Sequence, residues 1–326
     1  MHFRTEIKVK PSYWAINYQT PTLLLGSCFA VNIGAKLQAA KLPVAINPFG
    51  VLYNPASIGN NVARLLSQQA FSPNELYQYR DLWLSFDHHS TFSSTDPAIC
   101  QANINDNFAQ TCHFLAKTRF LIITFGTAFI YKRQDTNQVV ANCHQLPATF
   151  FRRELLSVEQ ITAIWIPLIK QLLAQNPDLK LLFTLSPIRH WKDGAADNQL
   201  SKALLTVAIH QLIAQFSQQT TYFPAYELLM DDLRDYRFYE SDMLHPNNMA
   251  IDYIWQKFRE QYIHEASSQQ LMRQISTIVH AAQHRPRQPN TESHRQFAQK
   301  MLHEIAILEQ QYPDINWETE KRVFKI

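Results

Sequence analysis

The sequence predicts a three-layer α/β/α sandwich around a five-stranded parallel sheet in the order 2-1-3-4-5, with a C-terminal helical appendage. Three observations lead there. Five short apolar runs lack polar alternation, as suits strands buried on both faces. Each run ends in a turn. Amphipathic helical patterns fall between the runs, and strand–helix alternation with right-handed crossovers sets successive strands parallel.

The first run, Thr22–Leu25, ends at Gly26. The helix after it, Cys28 to Ala40, places Phe29, Ile33, Leu37 and Ala40 on one stripe. The second run, Pro43–Ile46, ends at Asn47-Pro48-Phe49-Gly50. A helix then spans Pro55 to Leu66, with Asn54 as N-cap and Pro55 at the first helical position. Residues 67–115 read as a polar, aromatic, loop-like insertion. The third run, Phe120–Phe125, stops at Gly126, and residues 127–146 read as a β-hairpin turning at Asp135-Thr136-Asn137.

A long helix from Leu156 to Gln175 leads to the fourth run, Leu181–Leu185, ended by Ser186-Pro187. Another, Gln199 to Gln218, leads to the fifth, Thr221–Tyr226, where Pro224 favours a sheet edge. A last helix of this domain starts at Pro246 and carries Ile251, Ile254, Trp255 and Phe258 inward. Residues 1–262 therefore read as one domain. Residues 263–326 read as an appendage of two helices around the loop 284–290.

Composition excludes several classes. With 46% hydrophobic and 17% charged residues, 326 residues can bury a sizeable core. The six glycines include no G-x-G pair and no phosphate-binding loop, so no dinucleotide or P-loop site is written. A net charge of +3 is too small to argue for nucleic acid or an anionic membrane, and neither is expected as a partner. No run reaches the ~18 apolar residues of a membrane span, and the N-terminus has no signal-peptide core. Four cysteines without a C-x-x-C pair suit reduced thiols and a cytoplasmic setting. No cofactor and no metal are expected.

Ligands of a parallel sheet sit beyond the carboxyl ends of its strands. The candidates are therefore Ser27 and Cys28, Asn47 and Gly50, Gly126 and Thr127, Ser186, Arg189 and His190, and the Asp242–Pro246 segment. Three residues apart on a tight turn, Asp242 can reach Nδ1 of His245, fix its tautomer and steady the imidazolium. A thiol at the start of the first helix faces its positive end, which lowers a thiol pKa. Each feature also has a structural reading. Cys28 can be a core thiol, Ser27 an N-cap, and Asp242 with His245 a helix cap. Arg189 and His190 can clamp an anion or cap their loop. His88, His89 and His144 lack the spacing of a metal site. Trp83 reads as a lid or core cover, and Arg285-Pro286-Arg287 as a solvated or pinned loop.

The stretch Gly26-Ser27-Cys28-Phe29-Ala30 resembles the name-giving motif of the GSCFA domain family, grouped with the SGNH (GDSL-like) hydrolases. Asn47–Pro55, Phe125–Ala128, Ala141–His144, Ser186–His190 and Asp242–Pro246 look like further family blocks. The resemblance implies an SGNH pattern of four blocks. In the first, Cys28 stands where the nucleophile belongs, with Ser27 one residue early. In the second, Gly50 would supply an oxyanion N–H, and Gly126 and Thr127 are further backbone candidates. In the third, Ala128 stands where an oxyanion-binding Asn belongs; Asn142 on the hairpin is a substitute if it folds back. In the fourth, Asp242 and His245 match.

The implied activity is hydrolysis or acyl transfer on an O-acyl ester of a small molecule or carbohydrate. An acyl-enzyme would form on Cys28 or Ser27, with His245 as base then acid. The alternative is an SGNH-fold binding or scaffold protein, because one lost oxyanion donor costs about 10²–10³ in rate.

Overall fold

Thr22–Gly26 (β1), Val44–Ile46 (β2), Phe120–Phe125 (β3), Lys180–Leu185 (β4) and Thr220–Phe223 (β5) form one parallel sheet in the computed structural model, which describes residues 4–284 and 291–325. Their order is β2-β1-β3-β4-β5, the order expected. Alternate residues of each central strand feed two cores. Leu23 and Leu25 of β1 and Leu121, Ile123 and Phe125 of β3 join one. Leu24, Phe120 and Ile122 join the other. Apolar side chains on both strand faces leave no position for polar alternation.

Three helices cover the first face: α2 (Pro55–Ser67), α4 (Val158–Gln175) and α5 (Gly194–Gln215). They are joined there by α3 (Pro97–Lys117). Helices α1 (Cys28–Ala39) and α6 (Asn248–Tyr262) cover the second. At the sheet's edge Pro224 follows the last strand residue, where its missing N–H breaks no ladder.

Three expectations need correction. The segment 67–115 is not loop-like throughout, since α3 runs for 21 residues within and just beyond it. Asp96 caps α3 by accepting from Ala98 N–H at 2.8 Å, and Pro97 opens it. Its buried residues, Cys100, Ile104, Phe108 and Thr111, keep a helical period that the intervening Asn and Gln residues dilute. The hairpin strand Phe129–Arg133 pairs with Val139–Val140 and also with a third strand, Phe151–Leu155. Finally, α6 does not start at Pro246. Asn247 is its N-cap, accepting from Ala250 N–H at 3.1 Å, while Pro246 bridges to Tyr239.

The C-terminal region holds three described helices, α7 (Ala266–Gln283), α8 (Glu292–Gln311) and the unforeseen α9 (Glu318–Phe324). They share a core of their own around Ile275, Ile305 and Trp317. Lys41 at the end of α1 ties this core down. Its ammonium donates to Glu320 Oε2 at 2.9 Å and Asn316 O at 2.7 Å, and lies over the Trp317 ring. The loop of Arg285, Pro286 and Arg287 lies outside the described residues.

Gly26 ends β1 with φ 138°, and a Cβ there would meet the Thr124 carbonyl oxygen at 2.2 Å. Neither the conformation nor the space admits a side chain. Gly26→Ala should destabilise the protein by about 3 kcal/mol or more. Urea titration checks this: the midpoint should fall while the slope stays constant.

His88 is buried among the rings of Phe49, Phe71 and Phe92, with Nδ1 2.9 Å from Ser85 Oγ. Burial, with smaller contributions from Arg64 and His144, pushes its pKa from 6.5 down to about 3. Between those values the unfolded chain binds a proton that the folded one does not. Stability contributed by neutral His88 is therefore present above 6.5 and lost as pH falls toward 3. Thermal melts should show Tm dropping across this window, less steeply in His88→Phe. An equal acid slope in both proteins would refute this account of His88.

Candidate active site

The turn at Gly26 delivers the chain from β1 straight into α1. Ser27 is the N-cap: its Oγ accepts from Phe29 N–H at 3.3 Å, and the residue is 1% exposed. Cys28, the first helical residue, is partly exposed and lines a cleft of about 470 Å³ at the carboxyl end of the sheet. The structural reading therefore describes Ser27. Its hydroxyl is occupied and does not line the cleft, whereas Cys28 does.

The expected lowering of the Cys28 pKa does not occur. Burial raises it, and this outweighs the downward pull of the Cys28 and Phe29 N–H groups and of the Lys202 charge. A helix start helps a thiolate only as far as its half-unit of charge reaches, and here desolvation is the larger effect.

His245 lines the same cleft from a loop beyond β5. Its Nδ1 lies 2.5 Å from Asp242 Oδ2. Asp242 Oδ1 accepts from the N–H groups of Leu244 and His245, each at 2.9 Å. These backbone donors, then the imidazole, hold the Asp242 carboxyl down at about 2. The carboxylate is thus ionised, Nδ1 carries the shared proton, and Nε2 is left as the basic nitrogen. The loop earns its shape from Met243 in the left-handed region and from Glu240 N–H donating to His245 O at 2.8 Å. His245 is 51% exposed, so the pair sits at the rim while Cys28 sits at the floor.

Three backbone groups expected to bind an oxyanion are already committed. Gly50 N–H donates to Asn47 O at 2.7 Å, and Gly50 does not line the cleft. Gly126 N–H and Thr127 N–H both donate to Tyr53 O, at 2.7 and 3.0 Å. Thr127 still lines the cleft, and its hydroxyl lies 3.1 Å from Ser201 Oγ. Ala128 is wholly buried in the core. Asn142 does fold back: it lines the cleft, and its Oδ1 accepts from His144 N–H at 2.8 Å. Asn54 lines it too, its Oδ1 capping α2 at Ser57 N–H. Both amides are anchored by their oxygens, so their NH₂ groups are the ends left to serve a ligand.

Ser186, Arg189 and His190 line the wall after β4. His190 meets the Tyr53 ring edge-on and is lowered to about 4, first by burial and then by Lys202 and other neighbouring cations. It is therefore neutral near pH 7. Arg153 pairs with Asp193 at 2.5 Å, whereas Arg189 has no carboxylate partner among the described residues and lies over Trp191. Among the described residues no three His, Cys, Asp or Glu side chains come together to hold a metal ion.

Sequence reasoning missed Tyr53 and Lys202 and read Asn54 only as a cap. The signal for Lys202 was present. Asn198, Ser201, Lys202, Leu205, Ala208, Ile209 and Leu212 form the buried stripe of α5, and a lysine on such a stripe is rarely buried without a task.

The structure of a carbohydrate esterase family 3 protein from Talaromyces cellulolyticus is similar over 79% of this chain and 99% of its own, with 10% identity and a TM-score of 0.33. That likeness is too slight to carry an argument about chemistry. No curated protein matches the sequence. The model of the GSCFA domain protein C-terminal domain matches residues 275–326. The GSCFA family model itself matches residues 21–258, which span the motif at the cleft floor, the sheet and the Asp242–His245 loop, and the chain belongs to the GSCFA family.

Proposed function

We propose that this protein is an SGNH-like esterase or acyltransferase that acts on an O-acyl ester through a thioester on Cys28. The observation that carries the reading is the convergence of Cys28 and His245 on one cleft, with His245 Nδ1 tied to an ionised carboxylate. Sulfur attacks the ester carbonyl carbon, and the thiol proton passes to His245 Nε2. The carbon–oxygen bond to the leaving alcohol then breaks as His245 returns that proton to the departing oxygen. Water, or a second alcohol, attacks the thioester and gives its proton to Nε2, and the thiol is restored.

With Gly50, Gly126 and Thr127 committed, the oxyanion falls to other donors. The N–H of Cys28 is an orphan donor at the helix start. The Asn54 and Asn142 amides, which line the same cleft, are the side-chain donors we assign in place of the amide lost at Ala128. Arg189 and Lys192, neither paired by a described carboxylate, are the cations on the cleft wall that we assign to an anionic group of the substrate.

A second reading draws on the same committed amides: a binding protein that kept the fold without turnover. Incubation with p-nitrophenyl acetate separates the two. The esterase reading expects release of nitrophenolate and an acetyl adduct on the Cys28 peptide by mass spectrometry. It expects both to disappear in Cys28→Ala and to persist within about tenfold in Ser27→Ala, where a cap worth about 1 kcal/mol is removed instead. Wild-type protein that binds the ester without acetylating Cys28 decides for the binding reading.

The Asp242 pair makes a separate prediction. Because Asp242 stays ionised down to about pH 2, it cannot set an acid limb of activity seen above pH 4. Asp242→Asn should lower kcat by about 10²–10⁴ through the wrong imidazole tautomer. The loss should be present at every pH from 5 to 8. A loss confined to the acid side would assign the limb to Asp242 and remove its orienting role.

A further inference from the structure

A second cavity, of about 610 Å³, lies between α2, the start of the 67–115 segment and the hairpin, and shares no lining residue with the cleft. The strand Val139–Val140 borders both: Val139 lines this cavity and Val140 lines the cleft. Helix α2 also serves both. Asn54, at its start, lines the cleft; Asn61, seven residues on and so about 10 Å further along, lines the cavity.

The cations of this cavity already have partners. The Arg64 guanidinium holds both Glu75 oxygens, at 2.6 and 2.9 Å, and the carbonyls of Gln69 and Ala70, while lying 3.9 Å over the Phe71 ring. The Arg133 guanidinium donates to Asp135 and lies over the rings of Phe86 and Tyr77. An anion would therefore have to compete with carboxylates for either one.

Two acceptors have no partner. Asn61 is 2% exposed. Its Nδ2 donates to Asp87 O at 3.1 Å, and because a carbonyl only accepts, that bond fixes which amide atom is the nitrogen. Its Oδ1 meets no donor among the described residues, yet it is not sealed in, so it opens onto the cavity that Asn61 lines. A purely structural role gives the amide nitrogen a task and the oxygen none. Asp87 repeats the pattern. Its backbone is held at both ends, N–H by Ser85 Oγ at 3.3 Å and O by Asn61, but no described donor meets its carboxylate. Burial raises the Asp87 pKa against a downward pull from Arg64, as suits a carboxylate in a site poor in water.

Unused acceptors beside aromatic rings suit a ligand that donates hydrogen bonds and carries an apolar face. A cation would place a third positive charge beside Arg64 and Arg133. A hydroxylated ring adds no charge. We propose that this cavity is a binding site for a neutral sugar, with hydroxyls of one ring donating to the Asp87 carboxylate and to Asn61 Oδ1. The amides of Asn60, Asn74 and Gln138, exposed at the mouth, both donate and accept, as hydroxyls do. Tyr77 and Phe86 line the cavity and offer apolar surface to the C–H face of the ring. The proposal goes beyond the esterase reading and does not rest on it, since a sugar here uses these groups whether or not Cys28 turns over.

Saturation-transfer NMR tests it with D-glucose, D-galactose, D-mannose and N-acetyl-D-glucosamine, each titrated into the full chain. At least one of the four should receive saturation and give a Kd. In Asp87→Ala that Kd should rise about tenfold or more, because a hydrogen bond to a charged group is lost. Since Asp87→Ala can loosen its turn, Thr136→Trp is measured as well. Thr136 lines the cavity from the exposed hairpin turn and holds no sugar group in this proposal, so an indole there obstructs the entrance and leaves Asp87 and Asn61 intact. It should weaken the same sugar by a similar factor. Absence of saturation with all four sugars overturns the proposal. So does a Kd unmoved by either variant in folded protein, which would put the sugar elsewhere. Acetylation of Cys28 is scored separately, and its failure bears only on the esterase reading.

Discussion

The cleft depends on one close approach, the backbone of Gly26 against the Thr124 carbonyl. β1 and β3 run side by side until that point, and the chain must then leave the sheet at once. Gly26 permits this with a positive φ and no Cβ. Asn47 locks the turn from the other side, its Oδ1 accepting from Gly26 N–H at 2.8 Å, while Leu52 N–H donates to Gly26 O at 3.0 Å. Three segments distant in sequence thus meet at one residue. Ser27 caps α1 immediately afterwards, and Cys28 emerges at the floor of the cleft. A side chain at position 26 would push β1 from β3 and displace the thiol together with the helix that carries it.

How far the sequence was legible follows from which forces are local. Strand runs and most helices were readable, because burial on both faces leaves a pattern in neighbouring residues; the strand order rested on strand–helix alternation together with the family resemblance. The D-x-x-H turn was readable because Asp242 and His245 are three residues apart and their contact is local. The oxyanion donors were not. Whether an N–H is free depends on what the rest of the fold offers it, and Tyr53 O takes two at once. The thiol pKa failed for the same reason: the helix start is local, but the desolvation that outweighs it comes from the whole cleft. α3 was hidden by composition, since a helix with one narrow apolar stripe among Asn and Gln residues looks polar in a short window.

The cleft is not uniform in how it treats charge. Its inner groups are held neutral by burial: His190 is lowered to about 4 and Tyr53 is raised. At the half-exposed rim, backbone N–H groups and an imidazole keep Asp242 ionised. Environments that push titratable groups apart in this way separate roles among side chains of the same chemical type. His190 and His245 line one cleft, yet of the two only His245 has a carboxylate to fix its tautomer. His190 serves better as a neutral wall, its backbone N–H held by Asn198 Oδ1 at 2.9 Å.

On the proposed reading, the separation between half-exposed His245 and Cys28 at the floor also says when the two can work together. In the open protein His245 stands in water, and its contact with Asp242 is screened by a high dielectric. A ligand that fills the cleft excludes that water. It strengthens the Asp242–His245 hydrogen bond and the attraction between sulfur and its surroundings at the same moment. The reacting carbonyl must sit low enough to meet Cys28 while its leaving oxygen stays within reach of Nε2. Asn54 and Asn142, each held by its side-chain oxygen, line the same cleft: one opens α2, and the other follows the strand Val139–Val140. On the proposed reading, an ester that displaces water between floor and rim completes the low-dielectric site in which the proton transfer becomes favourable.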